Sequence, residues 1–306
     1  MKVAALDLGS NTFLCLICEV ENGKITQIYH DEVEMVRLGQ GFGHSDEKSF
    51  HPDALQRADQ CLNKFKKAID QHRPEKVLAM ATSAARDAKN KSELFRIGNN
   101  YQIPIEVIPG HLEAQITYQG SVSGLKNPES ILVVDIGGGS TEFVFGQKKE
   151  IQKARSYDIG CVRLTEKFIH QQPTPTDQVE NAEKAIKSSI LDFKNTLSDA
   201  KDFEILAVAG TPTALVVAEI GEFSTQKIDG FKLSTEKLSE WKNRLVNSTV
   251  EQKIDMGIPN GRADVILIGV LTLLEVLKVF GKNDLMVSTR GVRHGVALEM
   301  VRRFRA

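Results

Sequence analysis

A chain of 306 residues has room for two domains that each bury a core of their own. Its composition, 41% apolar and 26% charged with a formal net charge of −1, is that of an ordinary soluble globular protein and excludes an overall field that would recruit nucleic acid or a membrane surface. An anionic ligand would have to be held by a local cluster of arginine, lysine, magnesium and backbone amides.

From Met1-Lys2 the chain runs straight into Val3 to Leu8, an aliphatic stretch that predicts a buried strand rather than a signal peptide. Asp7-Leu8-Gly9-Ser10-Asn11 turns it into a second strand, Thr12 to Val20. Cys15 and Cys18 have C-x-x-C spacing within that strand and, with no second Cys or His pair to complete a zinc site, read as structural. With Cys61 and Cys161 they make four scattered cysteines, too few for a disulfide framework and suited to a reducing cytoplasm. Glu21-Asn22-Gly23-Lys24 predicts a hairpin turn into Ile25 to His30, because Asn-Gly tolerates positive φ at both central positions. Met35 to Gly41 leads into a polar, glycine-rich loop.

Pro52 opens a predicted helix to about His72, with Leu55, Ala58, Leu62, Phe65 and Ile69 on one face. Lys76 to Ala81 is a strand, and the hydroxyl pair Thr82-Ser83 can cap a following helix that carries Arg86. Ile103 to Ile108 is a strand broken by Pro109-Gly110. Leu112 to Ser121 is a helix with Glu113 in its first turn, a position the helix dipole alone would favour for an acid. A domain boundary fits best at Ser123 to Glu129, which holds Gly124, Asn127 and Pro128.

The second half repeats the first. Ile131 to Asp135, Thr141 to Gly146 and Ile151 to Tyr157 form the same strand, glycine turn, strand, hairpin and strand, with Asp135 lying 128 residues after Asp7. A long helix from Asp177 to about Leu197 precedes Glu204 to Gly210, whose Ile205 to Ala209 aligns with Val77 to Ala81 at the same offset. Two matches at one offset argue for a duplicated unit. A helical block from about Phe231 to Phe280 has no counterpart in the first half. Within it, Arg262 and Asp264 open a helix to Phe280. The apolar run Val265 to Phe280 contains Glu275 and Lys278 and reads as a core helix, too short to span a bilayer. Asp284 to Thr289 is a last strand, followed by a glycine and a helix. His44, His51, His111 and His170 show no ligand spacing and read as surface residues.

The chemistry concentrates at Asp135-Ile136-Gly137-Gly138-Gly139-Ser140-Thr141-Glu142. A strand that ends in Asp and turns through glycines brings bare backbone N–H groups to one point, which suits phosphate oxygens. A tight hairpin with structural glycines gives the same local sequence. Asp135 and Glu142 flank the turn as hard oxygen ligands for magnesium or as proton acceptors. Two such halves facing one another across a cleft would grip a phosphate chain from two sides, Ser10 and Asn11 from one turn and Gly138, Gly139, Ser140 and Thr141 from the other. Asp7 and Asp135 could then share one magnesium, usually through water.

Taken in order, Asp-Leu-Gly-Ser-Asn, Arg-Leu-Gly-x-Gly, Ala-Thr-Ser-Ala-x-Arg-Asp-Ala-x-Asn, Pro-Gly-x-x-Glu-Ala around Glu113, Asp-Ile-Gly-Gly-Gly-Ser-Thr-Glu and Gly291-Val292-Arg293-His294-Gly295 resemble the exopolyphosphatase/guanosine pentaphosphate phosphohydrolase family. The likeness covers nearly the whole chain and is strongest to short two-domain members. It implies an α/β protein of two duplicated actin-like, ribonuclease H-like domains with an interdomain cleft. These would be residues 1–124, with the C-terminal helix of about 292–306 packing back on them, and 125–306 with a helical insertion at about 231–280. Carried over by position, the resemblance implies Glu113 as the base that orients or deprotonates water, with Glu142 as a second catalytic acid. Asp7, Asp135 and Glu142 would hold Mg2+. Arg86, Ser10, Asn11, Gly138, Gly139, Ser140 and Thr141 would bind phosphate.

The chain departs from the pattern at His294, where many relatives have Glu. It departs again at Ala209-Gly210-Thr211, where the superfamily's adenosine segment usually has a Gly-Gly pair, and this favours a phosphate chain over a purine. His294, Arg290 and Arg293 are expected to tether the last helix across the cleft. The resulting expectation is a cytoplasmic, Mg2+-dependent hydrolase of phosphoric anhydrides, acting on inorganic polyphosphate, guanosine pentaphosphate or both, with a homodimer left open. A phosphotransferase of the acetate-kinase or sugar-kinase kind and a non-catalytic polyphosphate or alarmone sensor are the rival readings.

Overall fold

The computed structural model describes residues 1–42, 48–125, 129–197 and 202–305. His44, Asn127 and Pro128 lie outside them. The chain divides into two compact units, Met1–Leu125 with Arg290–Ala306, and Lys126–Thr289.

The first unit begins with β1 (Lys2–Leu8), β2 (Thr12–Glu21) and β3 (Lys24–Met35), then α1 (Pro52–His72), β4 (Lys76–Ala81), α2 (Ser83–Asp87), α3 (Ser92–Asn100), β5 (Ile105–Val107) and α4 (Gly110–Val122). Its sheet runs β3-β2-β1-β4-β5, with β1 antiparallel to β2 and parallel to β4. The second unit holds β6 (Ser130–Ile136), β7 (Thr141–Gln147), β8 (Glu150–Tyr157), α5 (Cys161–Phe168), α6 (Thr176–Asn195), β9 (Glu204–Val208), α7 (Gly210–Ile220), α8 (Thr225–Ile228), β10 (Lys232–Ser234), α9 (Thr235–Val246), α10 (Val250–Asp255), α11 (Asn260–Ala263), α12 (Ile266–Phe280) and β11 (Asp284–Val287). Its sheet runs β10-β11-β9-β6-β7-β8. The chain then returns to the first unit as α13 (Val292–Arg305).

The duplication extends to the pairing registers. Asp7 faces Leu14 across the β1–β2 ladder and Met80 across β1–β4. Asp135 faces Glu142 and Val208 at the same two places, each partner displaced by 128 residues. Register is set by which alternate residues are apolar, so this agreement means the two halves bury the same strand faces. In β1, Ala4, Leu6 and Leu8 face α1, whereas Val3 and Ala5 pack under Ile116 of α4 and Val296 and Met300 of α13. Period-two alternation puts Asp7 on the α4 side. In the second unit Leu132, Val134 and Ile136 join the large core with α6, α9 and α12, so Asp135 takes the opposite face.

Several elements differ from the sequence reading, the helices α7 and α8 after β9 among them. Strand β3 continues to Met35 instead of ending at His30, because it pairs with the full length of β2. Helices α3 and α5 were not anticipated, each being shorter than the span over which a 3.6-residue period declares itself. Strand β10 lies inside the block expected to be helical and pairs with β11. Among the described residues no helix is long and apolar enough to cross a membrane, and α12 is buried core.

Candidate functional site

In the first unit, β1 ends at Asp7, which is buried, and the chain turns on a hydrogen bond from Gly9 N to Thr12 O of 3.0 Å. The carbonyls of the turn are drawn away from its mouth: Ser10 O accepts from Gly39 N (2.8 Å) and Asn11 O from Val36 N and Arg37 N (3.0 and 2.8 Å). Ser10 Oγ accepts from Ala84 N at 3.1 Å, so it is Ser10, rather than the expected Thr82 hydroxyl, that caps α2. The cap fixes the helix that carries Arg86. Asn11 is buried and its Oδ1 has no hydrogen-bond partner among the described residues, which leaves an unmet polar atom at the turn.

Arg86 is not a solvated helix charge. One of its terminal nitrogens donates to Ile108 O at 3.0 Å and to Glu113 Oε2 at 2.5 Å. The Thr82 hydroxyl reaches the same carboxylate. Glu113 is only 6% exposed, and burial pushes its carboxyl above the usual range against the opposing pull of Arg86 and Thr82. A carboxylate raised toward neutrality while held by two donors is oriented to accept a proton.

The second unit repeats the turn, with Gly137 N donating to Ser140 O at 3.0 Å. Here the N-terminus of α5 takes up the carbonyls: Cys161 N donates to Gly137 O (2.9 Å), Val162 N and Arg163 N to Gly138 O (2.9 and 3.1 Å), and Arg163 Nε to Gly139 O (2.7 Å). In a trans peptide the N–H points opposite to the preceding C=O. With three consecutive carbonyls turned toward α5, the N–H groups of Gly138, Gly139 and Ser140 therefore face the other way, as an anion cradle requires. Gly160 permits this approach, since a Cβ there would lie 2.4 Å from Gly138 O.

Asp135 and Glu142 are directly opposed across β6–β7, so their side chains share one sheet face about 5 Å apart at Cβ. Both are buried. Ser156, opposite Glu142 on β8, donates to Glu142 Oε1 at 2.6 Å. Among the described residues no group of three or more His, Cys, Asp or Glu side chains could hold a metal ion. Two adjacent hard carboxylates nevertheless fit Mg2+, which keeps several waters and takes one or two acids together with ligand phosphates.

Arg262, read from the sequence as a helix-opening charge, lies with its guanidinium directly over Gly210 at the start of α7, where any Cβ would fall within 2.1 Å of it. Burial pushes its pKa down. The turn that bears it is held from behind: Lys253 Nζ donates to Gln172 Oε1 (2.6 Å), and Gln172 Nε2 donates to Asp264 O (3.1 Å). Burial lowers Lys253 to about 8.

Thr141 is fully buried and its hydroxyl donates to Ile159 O at 3.1 Å, which ties β7 to the segment before α5. Arg293 forms a bidentate pair with Asp31 (2.8 and 3.0 Å) and Arg290 bonds Ser123 Oγ (3.2 Å), both within the first unit. His294 is buried beside them, and its pKa is held well below the usual value by burial and by both arginines. The buried thiols Cys15 and Cys18 are pushed up to about 12, which makes them inert. Sequence reasoning missed Gly160, Arg163, Ser156 and the Thr82–Glu113 contact. Only Asp158-Ile159-Gly160, an echo of Asp135-Ile136-Gly137, carried a usable signal.

The sequence pattern that defines the Ppx/GppA phosphatase family matches residues 16–304. A bifunctional 3-dehydroquinate synthase/phosphatase of Fusobacterium nucleatum is 36% identical over 97% of this chain, which spans 46% of that protein's length. Exopolyphosphatase 2 of Mycobacterium tuberculosis is 32% identical over 98% of both chains. The crystal structure of an exopolyphosphatase-like protein superposes with a TM-score of 0.93 at 28% identity, covering 100% of this chain and 99% of the other.

Proposed function

The chain belongs to the Ppx/GppA phosphatase family, and from that premise we propose that it hydrolyses the terminal phosphoanhydride bond of a linear phosphate chain, inorganic polyphosphate first and guanosine pentaphosphate second. The observation that carries this reading is Glu113, a buried carboxylate raised by its surroundings and fixed by Arg86 and Thr82. Glu113 takes a proton from water as the water oxygen bonds to the terminal phosphorus. The bridging P–O bond breaks, and orthophosphate leaves a chain one unit shorter. The outward N–H groups of Gly138, Gly139 and Ser140 hold phosphoryl oxygens where charge accumulates. Arg86 orients the base and adds positive charge. Asp7, Asp135 and Glu142 are assigned to Mg2+, which when bound neutralises phosphate charge and polarises the attacked group. The guanidinium that fills the space over Gly210 favours a phosphate chain over a purine in the second unit.

Orthophosphate release is to be measured from polyphosphate, guanosine pentaphosphate and ATP in parallel, with and without Mg2+. Wild type is expected to act on the first two only with the metal. Glu113→Gln should lower turnover on the order of a hundredfold or more, the usual size of a lost general base, while polyphosphate still binds. Transfer of phosphate from ATP to an acceptor, with no release from the other two, would replace this reading with a phosphotransferase. Binding without turnover would make the protein a sensor.

A further inference from the structure

We propose that Ser156 is a positioning residue, whose hydroxyl fixes the Glu142 carboxylate for its role at the phosphate loop. The inference rests on the reading above, in which Glu142 is one of the carboxylates that would hold Mg2+ beside the phosphate loop. Ser156 and Glu142 are direct partners across β7–β8, and the Ser156 hydroxyl donates to Glu142 Oε1 at 2.6 Å, the length of a charge-assisted bond. Asp135 stands on the other side of Glu142 in the same cross-strand row, so the row reads Asp135–Glu142–Ser156. The first unit has the same ladder, and there the row reads Asp7–Leu14–Val33. The fold therefore does not demand a hydroxyl at this place; the polar partner occurs only in the copy that has the second acid.

The physical need is specific. A glutamate has three side-chain torsions, and beside Asp135 electrostatic repulsion would swing it away. A donor on one oxygen sets the plane of the carboxylate and leaves the second oxygen in a defined direction. Neither neighbour in sequence does this: Tyr157 bonds Asp192 through its hydroxyl, at 2.6 Å, and Arg155 is exposed.

Thr and Val are nearly isosteric, suit a strand equally and differ by the hydroxyl. Ser156→Thr should keep wild-type kcat. Ser156→Val, the residue type found in the first copy, should lower kcat on polyphosphate about tenfold, the scale of one hydrogen bond to a charged group, with KM changed less. In the Glu142→Leu background, which leaves no acceptor for the hydroxyl, the two variants should become equal, because Ser156 acts through that carboxylate. Melting temperatures of the pair should match. Equal losses in Thr and Val, a Val variant as fast as wild type, or a Thr–Val difference that persists beside Glu142→Leu would each overturn the assignment. Infrared spectroscopy of the resting protein provides a readout without turnover. The carboxylate band that vanishes in Glu142→Gln should shift in Ser156→Val and stay put in Ser156→Thr. If that shift occurs and the wild type releases no phosphate, the proposed activity fails while the positioning contact stands. If there is no shift, the contact itself is refuted.

Discussion

Where the first copy of the duplicated unit places Leu14 and Val33 beside its strand-end aspartate, the second places Glu142 and Ser156. Both copies keep the strand register, the buried Asp, and the Gly N–H to Ser/Thr carbonyl bond that closes the turn. They differ in where the remaining acid sits. In the first copy the acid is Glu113, on a helix, buried and gripped by Arg86. In the second it is Glu142, on a strand, one ladder position from Asp135. The turns differ likewise: Ser10-Asn11 contributes a hydroxyl that caps α2 and an unpartnered amide oxygen among the described residues, whereas the three glycines contribute bare N–H groups. On the proposed reading, a shared scaffold carries a proton acceptor in one copy and an anion cradle with paired carboxylates in the other.

The strongest way to break this division of labour is to exchange the ladder residues. Glu142→Leu gives the second copy the residue of the first and should reduce phosphate release by about a hundredfold or more, since it removes half of the acid pair. Leu14→Glu gives the first copy the residue of the second. It should bring no activity and cost about 1–3 kcal/mol by placing a carboxylate with no provided donor in a half-buried position. Release assays and urea titrations check both. Activity gained by Leu14→Glu would show the copies to be interchangeable.

A next test concerns the electrostatics of Glu113. A base works deprotonated, so the rate should fall as the pH drops through the pKa of Glu113 in the folded protein. Arg86→Met removes the main influence that lowers this pKa, and the acid limb of kcat/KM should move to higher pH. A limb that moved to lower pH would refute the picture of a burial-dominated carboxyl. Breaking the pair leaves Glu113 buried without its cation and should cost about 3 kcal/mol at neutral pH. Stability runs the opposite way with pH. A carboxyl raised in the folded state contributes stability below its unfolded pKa and loses it as pH rises through the folded value. Glu113→Gln should therefore gain in relative stability from the ordinary carboxylate range upward, while activity is lost.

What the sequence made legible and what it hid divide along the same physical line. The strand-end Asp, the glycine turns, Glu113 and Glu142 could be found because each sits in a short contiguous pattern, and the offset of 128 exposed the duplication without any knowledge of packing. Arg86 was legible as a cation near the site but not as the partner of Glu113, which is 27 residues away and meets it only because β5 and α4 bring it back. Ser156 was silent for the same reason: a lone serine in an alternating strand means nothing until the ladder register is known. Arg262 read as a helix-opening charge because its contact with Gly210 is purely tertiary. The segment before α5 was hidden by its shortness, and with it the reason the glycine carbonyls turn inward.

The smallest effect separates a residue that resembles a ligand from one that is a strut. Thr141 belongs to the phosphate-loop sequence, yet its hydroxyl donates to Ile159 O in a fully buried setting. Thr141→Val keeps the shape and removes the donor, leaving the Ile159 carbonyl short of one bond. The expected cost is about 1 kcal/mol of stability, near the net value of a single hydrogen bond, with KM for polyphosphate within about twofold of wild type. A phosphate-binding hydroxyl would do the reverse, raising KM severalfold with little change in melting. Thr141 corresponds by register to Phe13 of the first copy, which has no hydroxyl and is equally buried. A hydroxyl at this place is therefore dispensable to the turn itself and serves, in the second copy, to tie β7 to the segment that leads into α5.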